Sequence, residues 1–331
     1  MSAFSQVAAT AARRASMLRT AFGPVIGAAL EDETVSEIMV NPDGALWIER
    51  HGSGRAREGE YLRAGDVERI IRLVASHIGF DCGRDRPIVS AELPGTGERF
   101  EGVLPPVTVA PAFSIRKPAT RAMGLGCWVE TGSLSRSEAL IIEAAIKRRE
   151  NILISGGTST GKTTLANALL AEIGKRDERI VILEDTRELY CAAEDVVSLR
   201  SSLGVDLQML VRSTMRLRPD RIVIGEVRGG EALDLLKAWN TGHPGGVATV
   251  HANSASSALS RLEQLTAERA HEIPRALIGE AIDLIIHIGR RGDKRRVEEI
   301  LRVDGHDPLH GYALAPADPP VFSIVSEGAT L

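Results

Sequence analysis

The sequence predicts a two-domain α/β protein, and three observations lead to this prediction. The chain has 331 residues, more than one ordinary core holds. In the second half, short apolar runs alternate with helical segments, an order typical of a parallel sheet covered by helices on both faces. The first half has α+β character instead. We therefore predict an α+β domain over residues 1–120, a linker over 121–137 and an α/β domain over 138–331.

The first half contains several recognisable segments. Residues 4–30 are rich in Ala, Leu, Val and Arg and predict a helix. The turn sequence NPDG (41–44) lies between short apolar runs and predicts a β-hairpin. A second helix is predicted over 65–79, with Ile70, Ile71, Val74 and Ile78 on one side. Residues 87–117 are broken by Pro-Gly, Thr-Gly and Pro-Pro turns and predict several strands.

The second half predicts a series of buried strands with helices between them. Apolar runs of strand length lie at 151–155, 179–184, 221–226 and 246–251. A helix is predicted from Lys162 to about Gly174, and further helices are predicted for the segments LQMLVRSTMRL, GEALDLLKAWN and SSALSRLEQLTAERA.

Composition excludes several classes of protein. The net charge of -4 and the 4% content of aromatic residues argue against direct, sequence-independent binding of nucleic acid. The three cysteines form no CxxC pair, which argues against a zinc site. No apolar run is long enough to span a bilayer, and arginines interrupt the N-terminal segment where a signal peptide would be apolar. We therefore expect a cytoplasmic protein, with peripheral membrane association through partners still open.

The segment after the 151–155 strand matches the phosphate-binding pattern GxxxxGK[ST] at every fixed position. Backbone N–H groups of such a loop surround phosphates, and the following helix N-terminus favours anions. We expect Lys162 to reach the β- and γ-phosphates of ATP and the Thr163 hydroxyl to bind Mg²⁺. A glycine turn that matches by chance is the alternative. The predicted nucleotide-binding residues are Gly156, Gly157, Thr158, Ser159, Thr160, Gly161, Lys162, Thr163 and Thr164.

Carboxylates follow two of the predicted strands. Glu226 ends the 221–226 strand, and Gly225 stands where an aspartate is usual. Glu226 can bind Mg²⁺ or act on the attacking water, and the sequence leaves this division open. Glu184 and Asp185 end the neighbouring run, at the edge where α/β proteins bind ligands. They can position water or Mg²⁺; alternatively, Asp185 caps the following turn.

Histidine and arginine supply the remaining candidates. His243 and His251 flank the 246–251 strand, and a histidine at a strand end can contact the γ-phosphate. A lone histidine is more often structural. Arg116, near the end of the first half, is a candidate to reach the phosphates. A cluster of arginines could supply a guanidinium for the γ-phosphate: Arg200, Arg212, Arg216, Arg218, Arg221 and Arg228.

Together these motifs resemble a known family. The segments GGTSTGKTT, ILEDTRELY, RPDRIVIGEVRGGEALDLLKAWNTGHPGGVATVHANS and FSIRKP resemble the secretion ATPases of bacterial type IV secretion and conjugation. The segment RPIVSAELPGTGERFEGVLPPV looks like the conjugal-transfer, TrbB-type branch. The resemblance implies a RecA-like P-loop C-terminal domain, a PAS-like N-terminal domain, a nucleotide between them and a homohexameric ring. It also implies inner-membrane components of a secretion machine as partners.

The resemblance also assigns roles to residues. It places Gly156–Thr163 in the Walker A loop and Glu226 in an atypical Walker B element, where glycine before the glutamate is usual. It implies that Arg116 acts near the phosphates. An acidic box would contain Glu184, Asp185 and Glu188, and a His box would contain Gly242, His243 and His251.

Other functions stay open at this point. The type II secretion relatives often carry a four-cysteine insertion that this chain lacks, whereas pilus retraction motors share every ATPase box. A nucleotide-gated scaffold with little turnover and a helicase acting on DNA are the alternatives outside the family.

Overall fold

The computed structural model describes residues 3–50, 53–94, 97–117, 124–202, 204–291 and 294–319, with side chains from residue 16 onward except at 291. Contacts divide the chain into two compact units, Met1–Thr120 and Arg121–Leu331. Each unit has its own sheet and its own buried core.

The first unit is an antiparallel sheet with two helices. Its elements in chain order are α1 (Ala3–Glu31), β1 (Val35–Val40), β2 (Ala45–Arg50), β3 (Gly54–Tyr61), α2 (Ala64–His77), β4 (Ile88–Glu92), β5 (Arg99–Val103) and β6 (Ala112–Arg116). The sheet has the strand order β3-β2-β1-β6-β5-β4. Helix α2 buries Val67, Ile70, Ile71 and Val74, the apolar stripe that helical spacing requires. The prediction that Ile78 continues this stripe is wrong, because the helix ends at His77 and the Ile78 side chain is exposed. The predicted hairpin at 41–44 and the strands within 87–117 are confirmed.

Helix α1 differs from the single helix predicted over residues 4–30. Gly23 has a φ of 72° inside it, so two helical segments meet there at a kink. Pro24 explains the break, since proline removes a backbone donor and disfavours helical geometry in the residue before it. Glycine accepts the left-handed conformation without a steric cost.

The second unit is an α/β domain around a larger sheet. Its helices are α3 (Leu125–Glu130), α4 (Arg136–Lys147), α5 (Lys162–Ile173), α6 (Leu207–Thr214), α7 (Glu231–Asn240), α8 (Ala255–Ala267) and α9 (Arg275–Ala281). Its strands are β7 (Ile152–Gly156), β8 (Ile180–Glu184), β9 (Val196–Arg200), β10 (Arg221–Ile224), β11 (Val247–His251), β12 (Leu284–Arg291), β13 (Lys294–Asp307) and β14 (Gly311–Pro316). The predicted strands and helices of this half are confirmed, and β9 and β12–β14 are additions.

The sheet order is β14-β13-β12-β7-β11-β10-β8-β9. The six strands from β12 to β9 are parallel, as the alternation predicts. The sheet is not parallel throughout, because β13 and β14 add to its edge as an antiparallel meander. Short hairpin connections at this edge replace the helical crossovers that parallel strands need. Helices bury one core on each face of the sheet.

Residues 124–137, which the sequence analysis assigns to a linker, contain α3 and the start of α4. Leu125, Trp128 and Leu134 are buried in the core of the second unit. Ser135 and Glu138 form a capping box that begins α4. The domain boundaries themselves stay a prediction.

Arg221 connects separate parts of the second unit. Its guanidinium is fully buried, forms an ion pair with Glu178, and donates to the carbonyl oxygens of Gly245 at 2.9 Å and Ile146 at 3.0 Å. We expect Arg221→Ala to lower the free energy of unfolding by about 3–5 kcal/mol, because it removes the buried guanidinium that pairs with Glu178 and donates to two carbonyl oxygens.

Urea denaturation measures this loss. The matched control is Arg212→Ala, which breaks a 3.2 Å ion pair between an arginine side chain that is 60% exposed and Asp234. This exposed pair should contribute no more than about 1 kcal/mol. Equal effects of the two substitutions would contradict a structural role for Arg221.

Candidate active site

The predicted phosphate loop connects β7 to α5. Gly161 has a φ of 103°, a conformation that favours glycine, directly before the first turn of the helix. A Cβ on Gly156 would lie 2.5 Å from the carbonyl oxygen of Ile288, so no side chain fits there. The Thr160 hydroxyl donates to the Gly157 carbonyl at 2.9 Å and closes the turn. The loop thus has the strand–loop–helix context that the motif requires.

Lys162 bends back over this loop. Its ammonium donates to the carbonyl oxygens of Gly156 at 3.1 Å and Gly157 at 2.9 Å. Burial lowers the pKa of Lys162, and the nearby Glu226 partly offsets this effect. A lysine held in this position is a cation ready to exchange its carbonyl partners for phosphate oxygens.

His251 connects Lys162 to Glu226. The Lys162 ammonium lies 3.3 Å from His251 Nδ1, so this nitrogen accepts and Nε2 carries the proton of the neutral ring. Burial, together with the positive charge of Lys162, lowers the pKa of His251 and favours that neutral form. His251 Nε2 lies 2.7 Å from Glu226 Oε1. This is a close polar contact outside hydrogen-bond geometry, because Oε1 is buried and has no hydrogen-bond partner among the described residues.

The second oxygen of Glu226 is held by Arg228. Arg228 Nε donates to Glu226 Oε2 at 2.8 Å, and its Nη2 makes a second, shorter contact with the same oxygen. Arg228 also lies 3.7 Å from Asp185. Arg228 is one of the six arginines in the predicted cluster, and the structure shows it in contact with Glu226.

Glu184 ends β8 beside Gly225. A Cβ on Gly225 would lie 3.1 Å from Glu184 Cγ, so a side chain there would press on Glu184. Glu184 is 4% exposed, and its Oε1 accepts from the backbone N–H groups of Glu188 at 2.8 Å and Leu189 at 2.7 Å. Glu184 therefore holds the 185–189 turn in place.

That turn brings Glu188 to Thr163, the residue predicted to bind Mg²⁺. The Thr163 hydroxyl donates to Glu188 Oε2 at 3.2 Å. Asp185, which the sequence analysis assigns to the metal, accepts instead from the Ser201 hydroxyl at 2.8 Å. Among the described residues no group of three or more His, Cys, Asp or Glu side chains could hold a metal. Such a site still suits Mg²⁺, which takes one or two protein oxygens plus water and nucleotide phosphates.

Other predicted residues lie elsewhere. His243 precedes β11, at the opposite end of that strand from His251, and its Nδ1 lies 3.1 Å from the Pro219 carbonyl oxygen. Arg221 is structural, as described above. Arg116 is exposed at the end of β6 in the first unit, so its role at the phosphates stays a prediction.

Burial raises the pKa of Glu184 to about 7, against the opposing effect of its two backbone hydrogen bonds. Since the folded-state pKa is above the unfolded one, the folded chain binds more protons between pH 4.5 and about 7 and loses stability as the pH rises through that window. We expect Glu184→Gln to remove this loss. The variant should gain up to about 3 kcal/mol over wild type between pH 5 and pH 8.

Urea denaturation at several pH values measures this difference. Asp185→Asn alters the next carboxylate along the chain, whose side chain is 39% exposed, and serves as the control. A stability difference between wild type and Glu184→Gln that does not change with pH would contradict the account.

Sequence analysis missed Arg295, which lies in β13 against the phosphate loop. Its Nη1 donates to the Thr164 hydroxyl at 3.5 Å, and a Cβ on Gly161 would lie 2.9 Å from its Cδ. The signal in the sequence is the basic run around β12 and β13, GRRGDKRR. Because that run lies far from the loop along the chain, only the strand order reveals the contact.

Comparisons with known proteins identify the family of this chain. The family model for type II/IV secretion system proteins matches residues 20–306. The chain is 52% identical over 295 residues to the conjugal transfer protein TrbB of Rhizobium radiobacter, covering 88% of this chain and 91% of that protein. It is 34% identical over 315 residues to the type IV secretion system protein PtlH of Bordetella pertussis, covering 83% and 92%.

A solved structure supports the fold. The ATPase DotB of Legionella pneumophila matches with a TM-score of 0.59 at 21% identity, covering 82% of this chain and 78% of that chain. Across the described residues, none of the helices combines the length and the apolar character needed to cross a membrane. The resemblance to conjugation and type IV secretion proteins is confirmed, and the chain belongs to the type II/IV secretion system protein family.

Proposed function

We propose that this protein is a Mg²⁺-dependent ATPase that powers conjugal transfer through a type IV secretion machine, driving transfer-pilus assembly or export of DNA or protein. The observation that carries the proposal is the contact series from Lys162 through His251 to Glu226 at the mouth of the phosphate loop. In the proposed site, this cation, neutral imidazole and carboxylate would surround the γ-phosphate of ATP.

Nucleotide binding uses the loop and the helix. Backbone N–H groups of residues 157–163 and the N-terminus of α5 favour the phosphates of ATP. Lys162 leaves the Gly156 and Gly157 carbonyls for the β- and γ-phosphate oxygens. The exchange is favourable, since a charge-assisted bond to phosphate is stronger than one to a neutral carbonyl.

Thr163 would hold Mg²⁺ through its hydroxyl oxygen. Its hydrogen would continue to point at Glu188, as it does now at 3.2 Å. Glu184 fixes Glu188 through the backbone and so acts as a positioning residue. Bound Mg²⁺ would neutralise charge on the β- and γ-phosphates.

Glu226 acts on the attacking water. Its Oε1 is a buried acceptor with room for a hydrogen bond, while Arg228 fixes the other oxygen. Water oriented by Oε1 attacks the γ-phosphorus in line, the bond to the β–γ bridging oxygen breaks, and ADP and inorganic phosphate leave. Lys162 and Arg228 offset the charge that develops, and His251 can donate its Nε2 proton to a phosphate oxygen or to Glu226.

At the level of the machine, we propose a homohexamer at the cytoplasmic face of the inner membrane, where membrane-embedded secretion components are its partners. Support comes from the similar proteins, which carry the names conjugal transfer protein and type IV secretion system protein. Arg116 is proposed to act on the phosphates within this assembly.

Steady-state phosphate release tests the proposal. Wild-type protein with Mg²⁺ should turn over ATP, and chelation of Mg²⁺ should stop it. Nucleotide binding without turnover would contradict a motor and favour a nucleotide-gated scaffold.

Mass measurement with and without ATP tests the hexamer. Co-purification with a pilus-retraction or type II secretion assembly, instead of conjugation components, would assign the same chemistry to a different machine.

A further inference from the structure

We propose that Arg295 is a nucleotide-binding residue that contacts the α-phosphate end of the bound nucleotide. The inference deepens the proposed function and rests on it. Arg295 lies in β13, beyond the residues that the phosphate-loop motif identifies, and its position follows from the antiparallel addition of β13 to the sheet.

Arg295 is placed against the first turn of α5. Its side chain passes over Gly161, where an added Cβ would lie 2.9 Å from Cδ and 3.5 Å from Nε. Its Nη1 donates to the Thr164 hydroxyl at 3.5 Å. Gly161 and Thr164 flank the lysine and threonine of the motif, so the guanidinium borders the surface that phosphates occupy.

The strand order shows which end of the nucleotide Arg295 faces. Strand β7, which carries the loop, lies between β12 and β11. The residues proposed to act on the γ-phosphate, His251 and Glu226, lie at the ends of β11 and β10 on one side of β7. Arg295 lies on the other side, in β13 next to β12. A phosphate chain that crosses the loop with its γ-phosphate near Glu226 has its α-phosphate toward Arg295.

Electrostatics favours the same ligand. The N-terminus of a helix carries partial positive charge and disfavours a nearby cation. Here Lys162, Arg228 and Arg295 all lie around or beside the phosphate loop. Arg228 is already paired with Glu226, and a nucleoside di- or triphosphate would bring further negative charges that attract Lys162 and Arg295.

The role differs from that of an arginine finger. A guanidinium on the γ-phosphate acts mainly in the transition state and changes kcat. A guanidinium at the α-phosphate contacts a group that ATP and ADP share and that does not react. Arg295 should therefore contribute equally to the binding of both nucleotides and little to kcat at saturating ATP.

Calorimetric titration with ADP and with a non-hydrolysable ATP analogue, both with Mg²⁺, tests this inference. We expect Arg295→Ala to raise Kd for both nucleotides about tenfold, the loss of one charge-assisted hydrogen bond at an exposed site. Arg295→Lys should recover part of the affinity, because it keeps the charge without the planar fork. Saturating ATP should restore kcat to within about threefold of wild type in Arg295→Ala.

Arg296→Ala is the matched control. Arg296 is the next residue in the exposed, turn-side start of β13, and alternation places its side chain on the other face. The nucleotide affinity of Arg296→Ala should stay within about twofold of that of wild type. Unchanged affinity in Arg295→Ala, or a loss limited to the ATP analogue, would overturn this inference alone. Absence of nucleotide binding by wild type would overturn the proposed function, and the inference with it.

Discussion

Lys162→Ala is expected to abolish ATP hydrolysis, with a fall of about a thousandfold or more in the rate of phosphate release. The substitution removes the cation that bridges the phosphate loop to His251. Both the affinity for the nucleotide and the stabilisation of charge on the γ-phosphate depend on that ammonium, so kcat and KM should both deteriorate.

Lys175→Ala is the control for this prediction. Lys175 follows the same helix, forms an exposed ion pair with Glu172 at 2.6 Å and lies at the end remote from the phosphate loop. The ATPase activity of Lys175→Ala should match that of wild type. Normal turnover by Lys162→Ala would refute the assignment of the site.

Glu226→Gln is expected to separate binding from chemistry. The amide keeps the shape of the side chain and can still accept from Arg228, so ATP should bind with nearly normal affinity. It is a much weaker base than the carboxylate and presents the water with a different set of hydrogen bonds. The rate of hydrolysis should fall by about 10²- to 10³-fold at saturating ATP.

A single-turnover measurement with the variant locates the defect. ATP should stay bound in the Glu226→Gln site. The substitution should slow the hydrolytic step and leave the rate of product release unchanged. Glu172→Gln changes a carboxylate at the end of α5 remote from the phosphate loop, where it pairs with Lys175, and should leave turnover intact. A rate in Glu226→Gln equal to that of wild type would assign the water to another residue, with Glu184 as the nearest alternative along the sheet.

The phosphate loop and its strand–helix context could be predicted from the sequence because the information is local. A glycine with positive φ, a lysine and a threonine lie within one turn of chain, and apolar runs mark the neighbouring strands. Glu226 and His251 could be predicted too, since each follows a strand whose carboxyl end lies at the ligand edge of a parallel sheet.

The roles within the acidic segment could not be read from the sequence. Glu184, Asp185 and Glu188 are three carboxylates within five residues, and only the turn decides where each points. Glu184 binds backbone N–H groups, Asp185 faces Ser201, and Glu188 reaches Thr163. Short-range patterns identify such a cluster without resolving these directions.

Contacts between distant segments are harder to predict from the sequence. The edge strands β13 and β14 lack the continuous buried apolar run of a parallel core strand, so the sequence does not predict the approach of Arg295 to the loop. The sequence likewise shows Arg221 as one member of a cluster of arginines. Its burial follows from the contacts of its side chain with Glu178, Ile146 and Gly245. In both cases the deciding neighbours lie tens of residues away.

A crystal structure with Mg²⁺ and a non-hydrolysable ATP analogue is the most direct test of the central claim, that the loop between β7 and α5 encloses a triphosphate. The account predicts phosphates among the amides of residues 157–163, Lys162 turned from its own carbonyls to the β- and γ-oxygens, and Thr163 on the metal. An analogue bound elsewhere, with the Lys162 ammonium still hydrogen-bonded to Gly156 and Gly157, would contradict it.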